Sequence, residues 1–246
     1  MISRNSSGNL AIAKLVERQM RNWELARDQR LPESKSVQKQ VEDFICISRQ
    51  VGTEGMAVAR GLAAGLEWPI FDREILDAMA GDDEVRRQIY ESMDERDLSW
   101  WEETLRALMQ SEFVRNDYFK KLSKTLLTLA RQGNCIFVGR GADLLLPPKV
   151  GFRVRLVAPT PNRLARFAET NELTENEARQ TMQRVEADRR RFFHHHFGID
   201  TDDPGRYDMT INLARSTAAE AVEMILKVRS VRLKIRLNIT DSTYDR

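Results

Sequence analysis

The stretch Phe44–Leu66, FICISRQVGTEGMAVARGLAAGL, constrains this chain most, because its hydrophobic period changes within a few residues. Phe44 to Ile47 form a short apolar run of strand type, and from about Met56 the apolar positions recur with helical spacing. Between them lie Gly52 and Gly55, which carry no Cβ and let the backbone turn its N–H groups toward an anion. The helix that follows aims its positive end at the same place. Strand, glycine turn and helix N-terminus in this order are the layout of a phosphate-binding loop. The Walker form, GxxxxGK[ST], adds a lysine for the β/γ-phosphates and a hydroxyl for magnesium. Here Gly55 and Ala57 stand at those places. A strand-to-helix connection that needs glycine only for tight packing would show the same two glycines. Arg49 and Arg60 are candidates for the missing positive charge, since a guanidinium presents a fork of donors suited to phosphate, and solvated surface arginines would read alike.

A chain of 246 residues can bury one sizeable core without requiring a second domain. With 41% hydrophobic and 31% charged residues the composition is that of a globular protein, and a net charge of +2 speaks against electrostatic binding to nucleic acid or to a membrane surface. Charge is uneven locally, arginine-rich over Arg184–Arg191 and acidic over Asp82–Glu103. The two cysteines, Cys46 and Cys135, each fall in an expected buried strand, which gives neither a zinc spacing nor a disulfide framework and favours a reducing cytoplasm. No run of about 18 apolar residues appears, and the start, MISRNSSGNLAIAKL, is too polar for a secretory signal. The expectation is a cytoplasmic protein with no membrane span.

Residues 1–40 read as a helical arm, patterned over Leu10–Arg27, followed by a linker at RLPESKS. The apolar residues of the arm, Trp23 among them, form no single clean stripe, so it is expected to pack on the main domain or on a partner, with a homo-oligomer through the arm as one outcome. The main domain is expected over residues 41–228 and a tail without assigned structure over 229–246. Inside the domain, strands are expected at Phe44–Ile47, Trp68–Phe71, Cys135–Val138, Phe152–Val157 and Tyr207–Asn212. Helical patterns separate them: Met56–Leu66, a nearly continuous run Glu74–Gln132, and a helix from Asn162 that breaks near Asn171. Another restarts at Thr174, with Glu177 three positions on in a capping-box pattern, and the last is Thr217–Val228. Strands alternating with helices predict a parallel sheet covered on both faces.

Three strand ends carry polar residues: Ser48 and Arg49, then Asp72 and Arg73, then Gly139 and Arg140. In open α/β sheets ligands bind beyond the carboxyl ends of the strands. The GRG tripeptide at 139–141 would let Arg140 project toward an anionic substrate, or pair with Asp72 or Asp143. In RVEADRRRFFHHHFG, helical spacing puts Arg184, Asp188 and Arg191 on one face and turns Arg189 and Arg190 elsewhere. Such a face could neutralise charge during phosphoryl transfer or lie solvated. His194, His195 and His196 are consecutive and point about 100° apart on a helix, so they cannot jointly ligate one metal ion. No metal site is expected.

Taken together, SRQVGTEG, FDREIL, IFVGRGADLLL, ADRRRFFHHHFG and RYDMTINL resemble the cytidylate kinase-like family, a divergent branch of the P-loop nucleoside monophosphate kinases, over roughly residues 42 to 228. The resemblance implies an α/β, P-loop NTPase-like three-layer fold with a parallel sheet, a helical substrate-binding insertion and an arginine-bearing lid. It implies ATP and Mg2+ as cofactors, with Ser48, Arg49, Gly52, Thr53, Glu54, Gly55, Met56 and Ala57 cradling the donor phosphates. It implies an acceptor held by Arg140 with Asp72 and Arg73 nearby, and lid arginines Arg184, Arg190 and Arg191 on the transferring phosphoryl group. Asp208 falls where the family has an acid before the last core strand. The partner implied is a nucleotide or small phosphorylated substrate, and the activity is transfer of a phosphoryl group from ATP to a CMP-like acceptor. The chain departs from the family in lacking the loop lysine and hydroxyl and in having GRG for GRD. Either arginines compensate, or the chain is an inactive descendant that binds a phosphorylated ligand as a sensor or interaction module.

Overall fold

The computed structural model describes residues 43–81, 117–147, 150–199 and 202–243. The arm expected over 1–40 and the acidic stretch Asp82–Glu103 lie outside the described residues, as does much of the expected helical insertion. Five strands, β1 (Phe44–Arg49), β2 (Ile70–Phe71), β3 (Cys135–Val138), β4 (Phe152–Val157) and β5 (Met209–Asn212), form one sheet in the order β2-β3-β1-β4-β5. β2 pairs parallel with β3, Ile70 opposite Ile136, and β4 pairs parallel with β5, Val154 opposite Met209. The helices are α1 (Gly55–Leu66), α2 (Arg73–Gly81), α3 (Asp117–Gln132), the short α4 (Ala142–Leu145), α5 (Thr160–Thr170), α6 (Glu175–Phe197) and α7 (Ala218–Thr243). The architecture is the α/β parallel sheet with connecting helices that the alternating pattern predicts.

The chain divides into two compact units, and β1 and α6 each contribute to both. The first unit holds the start of β1, residues 68–151 and residues 193–199. Its strand β3 is apolar at every position and buried throughout, as a strand covered on both faces must be. Phe137 meets Phe44 edge-on with centroids 6.1 Å apart and Phe71 in a stacked arrangement at 5.8 Å. On α3 the expected stripe Leu122, Leu126, Leu129 and Ala130 is fully buried. Both cysteines are buried free thiols.

The second unit holds residues 47–67, 152–192 and 200–246. Here α1 buries Val58, Ala59 and Leu62, the face its helical period predicts. β5 begins at Met209 rather than Tyr207, because Pro204–Arg206 form a 3-10 turn capped by Asp203 at its start and by Tyr207 at its end, and Asp208 then joins the turn to β4. Its N–H donates to the Arg153 carbonyl at 2.8 Å, and its carboxylate accepts from the Arg153 N–H at 2.8 Å. Over the tail from 229, to which the sequence pattern assigns no structure, α7 continues without interruption to Thr243.

Two capping boxes start the long helices. Thr174 and Glu177 bond reciprocally ahead of α6, as their spacing predicts, and Thr217 with Glu220 does the same ahead of α7. In each box the threonine's hydrogen bonds hold the glutamate's pKa below the usual carboxylate value. A depressed folded-state pKa contributes stability that is present above the unfolded value and lost as pH falls through the folded one. Thr217→Ala is therefore expected to lower the melting temperature near neutrality, and the gap from wild type should shrink on acidification below the carboxylate range. Melting curves across pH 3–7 check this, and a gap independent of pH would contradict it.

Candidate functional site

The segment between β1 and α1 is folded by contacts within the second unit. At the end of β1 the Gln50 N–H donates to the Leu156 carbonyl at 3.0 Å, while the Gln50 side-chain oxygen accepts from the Ala158 N–H at 3.1 Å. The Thr53 hydroxyl turns inward and donates to the Gln50 carbonyl at 2.8 Å. Gly52 has φ +79°. A Cβ there would lie 2.4 Å from the Arg163 carbonyl oxygen, so this position requires glycine twice over, for its angle and for its space. Gly55 opens α1, and a Cβ on it would meet the Arg49 side chain at 2.9 Å. The glycines expected to shape the loop do so by letting Arg163 and Arg49 pass close.

Arg163 was not distinguishable in the sequence from any other surface arginine, yet it is 6% exposed and satisfies the loop. Its Nε donates to the Ala158 carbonyl at 3.0 Å, Nη1 to the Val51 carbonyl at 3.0 Å and also to the Glu186 carboxylate, and Nη2 to the Thr160 hydroxyl at 3.2 Å. Beneath it Val51, Leu164, Ala178 and Met182 form an apolar cluster joined by Phe167 and Val185. A second buried arginine, Arg155 on β4, donates to the Ser48 hydroxyl at 2.8 Å and to Asp202 at 2.7 Å and lies over the Tyr207 ring. Ser48, expected on the donor phosphates, is thus engaged by Arg155 and by the Tyr207 hydroxyl at 3.3 Å.

The loop faces a cleft of about 590 Å³. Residues 49–57 line one side of it, with Arg60 from α1, Arg166 and residues 167 and 169–171 from α5 and its end, and Arg189 from α6. Four arginines, Arg49, Arg60, Arg166 and Arg189, line it together with two glutamates, Glu54 and Glu169. The first N–H groups of an α-helix have no partner inside it, and Glu54 at the N-cap of α1 makes no side-chain bond to them. The donors of the first turn of α1 and the arginines therefore converge on one cleft, a combination suited to an anion.

The arginine of α6 that reaches this loop is Arg189, whose Nη1 donates to the Arg49 carbonyl at 2.6 Å. Arg189 thus lies off the face of Arg184 and Arg191, as helical spacing predicts, and its own face is the one turned to the loop. The signal was present in the sequence: Ala178, Met182, Val185 and Arg189 are spaced by four, three and four residues, so Arg189 continues the apolar stripe that faces the core. Arg184, Arg190 and Arg191 are exposed on α6 and do not line the cleft, and Arg191 pairs with Asp188 on the helix surface. His194 is exposed.

Asp72, Arg73 and Arg140 belong to the first unit. The Asp72 carboxylate is the N-cap of α2, accepting from the N–H groups of Glu74 and Ile75 at 3.1 Å each. Arg140 pairs with Asp77 of α2, which Arg73 also approaches at 3.8 Å. Gly139, Arg140 and Gly141 all have left-handed φ, at 82°, 55° and 69°. That run of angles is what presents the Arg140 side chain to Asp77, and Gly141 leaves room for the Phe197 ring, which a Cβ would approach to 3.0 Å. The sequence signal for Asp77 was its position four residues after Arg73 on a helix. Among the described residues no group of three or more His, Cys, Asp or Glu side chains could hold a metal ion, and no helix is long and apolar enough to cross a membrane.

A parallel α/β sheet whose first strand turns through glycines into a helix, with arginines around that turn, is an α/β fold of P-loop type. The model of the cytidylate kinase-like family matches residues 44–215, and the chain belongs to that family. No curated protein matches the chain. Among solved structures, an uncharacterized protein from Eubacterium ventriosum is similar in fold, with a TM-score of 0.59 at 19% identity over 76% of this chain and 97% of that one. TT1252 from Thermus thermophilus aligns with a TM-score of 0.43 at 18% identity, over 79% of this chain and 99% of that one. Dephospho-CoA kinase from Campylobacter jejuni aligns at 0.30 and 11% identity, over 78% and 97%.

Two substitutions test the construction of the loop. Gly52→Ala forces a left-handed angle costing about 1–3 kcal/mol and adds a clash with backbone, so denaturant unfolding should show a loss of at least that size. Arg163→Met leaves Glu186 and two carbonyls without their donor, a loss on the order of 3 kcal/mol. Arg184→Ala, on the exposed face of the same unit, should change stability by less than about 0.5 kcal/mol. Equal effects at Arg163 and Arg184 would contradict the assignment.

Proposed function

We propose that the chain is a nucleotide kinase-like phosphotransferase that binds ATP with Mg2+ and passes the terminal phosphoryl group to a nucleoside monophosphate, CMP-like, or to a related small acceptor. The observation that carries this reading is the cleft over residues 49–57, where the first turn of α1 and four arginines face the same space. Phosphates fit these residues: Gly52 and Gly55 let the loop close on Arg163 and Arg49, the N–H groups at the start of α1 supply donors, and Arg49, Arg60, Arg166 and Arg189 supply the charge that a loop lysine would give elsewhere. Magnesium keeps several waters and takes one or two protein oxygens beside the phosphates. Glu54 and Glu169 are the carboxylates of the cleft that could meet it. Bound there, the ion would offset charge on the phosphate oxygens.

In such a transfer the acceptor oxygen bonds to the γ-phosphorus as the bond to the bridging oxygen of the leaving ADP breaks, with no covalent protein intermediate. The protein's part is positioning and charge neutralisation. Arg189 is the α6 residue nearest this task, held to the loop through the Arg49 carbonyl. Arg140 is the acceptor-side candidate, with Asp77 holding its guanidinium.

A second reading is favoured by one observation: the loop has no lysine, and one of its own residues, Glu54, already engages an arginine of the cleft, Arg166. That arrangement also suits a protein that binds a phosphorylated ligand without turning it over. Calorimetric titration with ATP and Mg2+, alone and then with CMP present, separates the readings. A working kinase is expected to bind ATP with micromolar affinity, to bind it more tightly beside an acceptor and to release ADP. Arg189→Ala should reduce that turnover by at least tenfold. ATP binding without ADP release beside any nucleoside monophosphate would favour the sensor, and absence of ATP binding would refute the kinase.

A further inference from the structure

We propose that Glu54 is a built-in competitor for the phosphate site: its carboxylate holds Arg166, and a polyphosphate must displace it to gain that guanidinium. The inference rests on the reading of the cleft as a phosphate site. It concerns a glutamate placed inside a loop whose task, on that reading, is to attract negative charge.

Glu54 is the residue immediately before α1, with φ −77° and ψ 35°. A side chain at an N-cap usually turns back to accept from the N–H groups of the first turn. Glu54 does not, and its carboxylate is instead in an ion pair with Arg166 of α5. Both partners line the cleft, and both are partly exposed, Glu54 at 35% and Arg166 at 42% of the side chain. An ion pair in such a setting is held loosely enough to exchange, since exposed pairs contribute little to stability. Arg166 also differs from its neighbour Arg163, whose buried guanidinium is committed to two carbonyls, a hydroxyl and Glu186. Of the two α5 arginines, Arg166 is the one that can change partner without opening the core.

The first turn of α1 thus keeps its donors clear of its own N-cap side chain, and the carboxylate that forgoes them occupies an arginine of α5. When a ligand's phosphate takes Arg166, Glu54 is released, and a ligand must make enough further contacts to offset both the lost pair and the freed carboxylate beside it. The site should favour ligands bearing several charges and disfavour a single phosphate. If the pair occupies Arg166 nine-tenths of the time, the apparent affinity falls about tenfold, because only the competent fraction binds.

Calorimetry on the full chain, with inorganic tripolyphosphate and orthophosphate as probes, tests this on wild type, Glu54→Gln and Arg166→Gln, with melting curves as the check on folding. Glu54→Gln is isosteric and partly exposed, so it should melt with the wild type. It is expected to bind tripolyphosphate about tenfold more tightly and to narrow the preference for tripolyphosphate over orthophosphate. Arg166→Gln is expected to bind tripolyphosphate at least fivefold more weakly. Wild type that binds tripolyphosphate, with Glu54→Gln binding no more tightly, would overturn the competitor role and leave the phosphate site standing. An Arg166→Gln variant that binds as well as wild type would overturn it equally. Wild type and Glu54→Gln both failing to bind tripolyphosphate would overturn the phosphate site and this inference with it.

Discussion

The second unit depends on the accommodation of one buried charge. A guanidinium taken out of water costs several kcal/mol unless acceptors surround it, and Arg163 finds four: the carbonyls of Val51 and Ala158, the Thr160 hydroxyl and the Glu186 carboxylate. Those acceptors come from the loop after β1, the turn after β4, the start of α5 and the middle of α6. Because the donors of a guanidinium are fixed in one plane, satisfying them together fixes where these segments can lie. The same residue sets the glycine requirement, since its carbonyl fills the space a side chain at position 52 would need. The apolar cluster of Val51, Leu164, Ala178 and Met182 then supplies the burial on which this polar junction sits.

The positive charge of the cleft is assembled from several elements instead of from one loop lysine. Arg49 ends β1, Arg60 lies on α1, Arg166 on α5 and Arg189 on α6. A lysine carries a compact charge on a flexible stem, whereas each of these planar forks offers several directed donors. Arg189 spends one of its donors on the Arg49 carbonyl, so the α6 segment that bears it is tied to the loop by a bond that does not consume the Arg49 guanidinium. Glu54 and Glu169 temper the sum, and the balance stays positive.

In the first unit the same logic gives a different result. Three consecutive left-handed residues at 139–141 turn the chain sharply after β3, and the arginine in the middle is met by Asp77 of α2. Asp72 has a separate task, one oxygen of its carboxylate accepting from the N–H groups that open α2. Arg140 is thereby held in a defined direction by a partly exposed carboxylate.

Period and punctuation alone determined the elements. The apolar runs of β1, β3 and β4, the stripe of α3 and the capping box of α6 are local, and local spacing is what a sequence displays. So are the two loop glycines and the order of motifs that places the chain in its family. The tail after Arg229 was missed as helix because VRLKIRLNI alternates apolar with basic residues, a strand-like period in a segment that α7 nonetheless includes. Which arginine does what was decided only by tertiary structure. Arg163, Arg166, Arg189 and Arg191 are alike as residues, and one is buried, two line the cleft and one pairs on the surface. The reason is that a charged side chain is defined by its acceptors, and here those acceptors come mostly from segments far away in the chain, brought within about 3 Å only by folding.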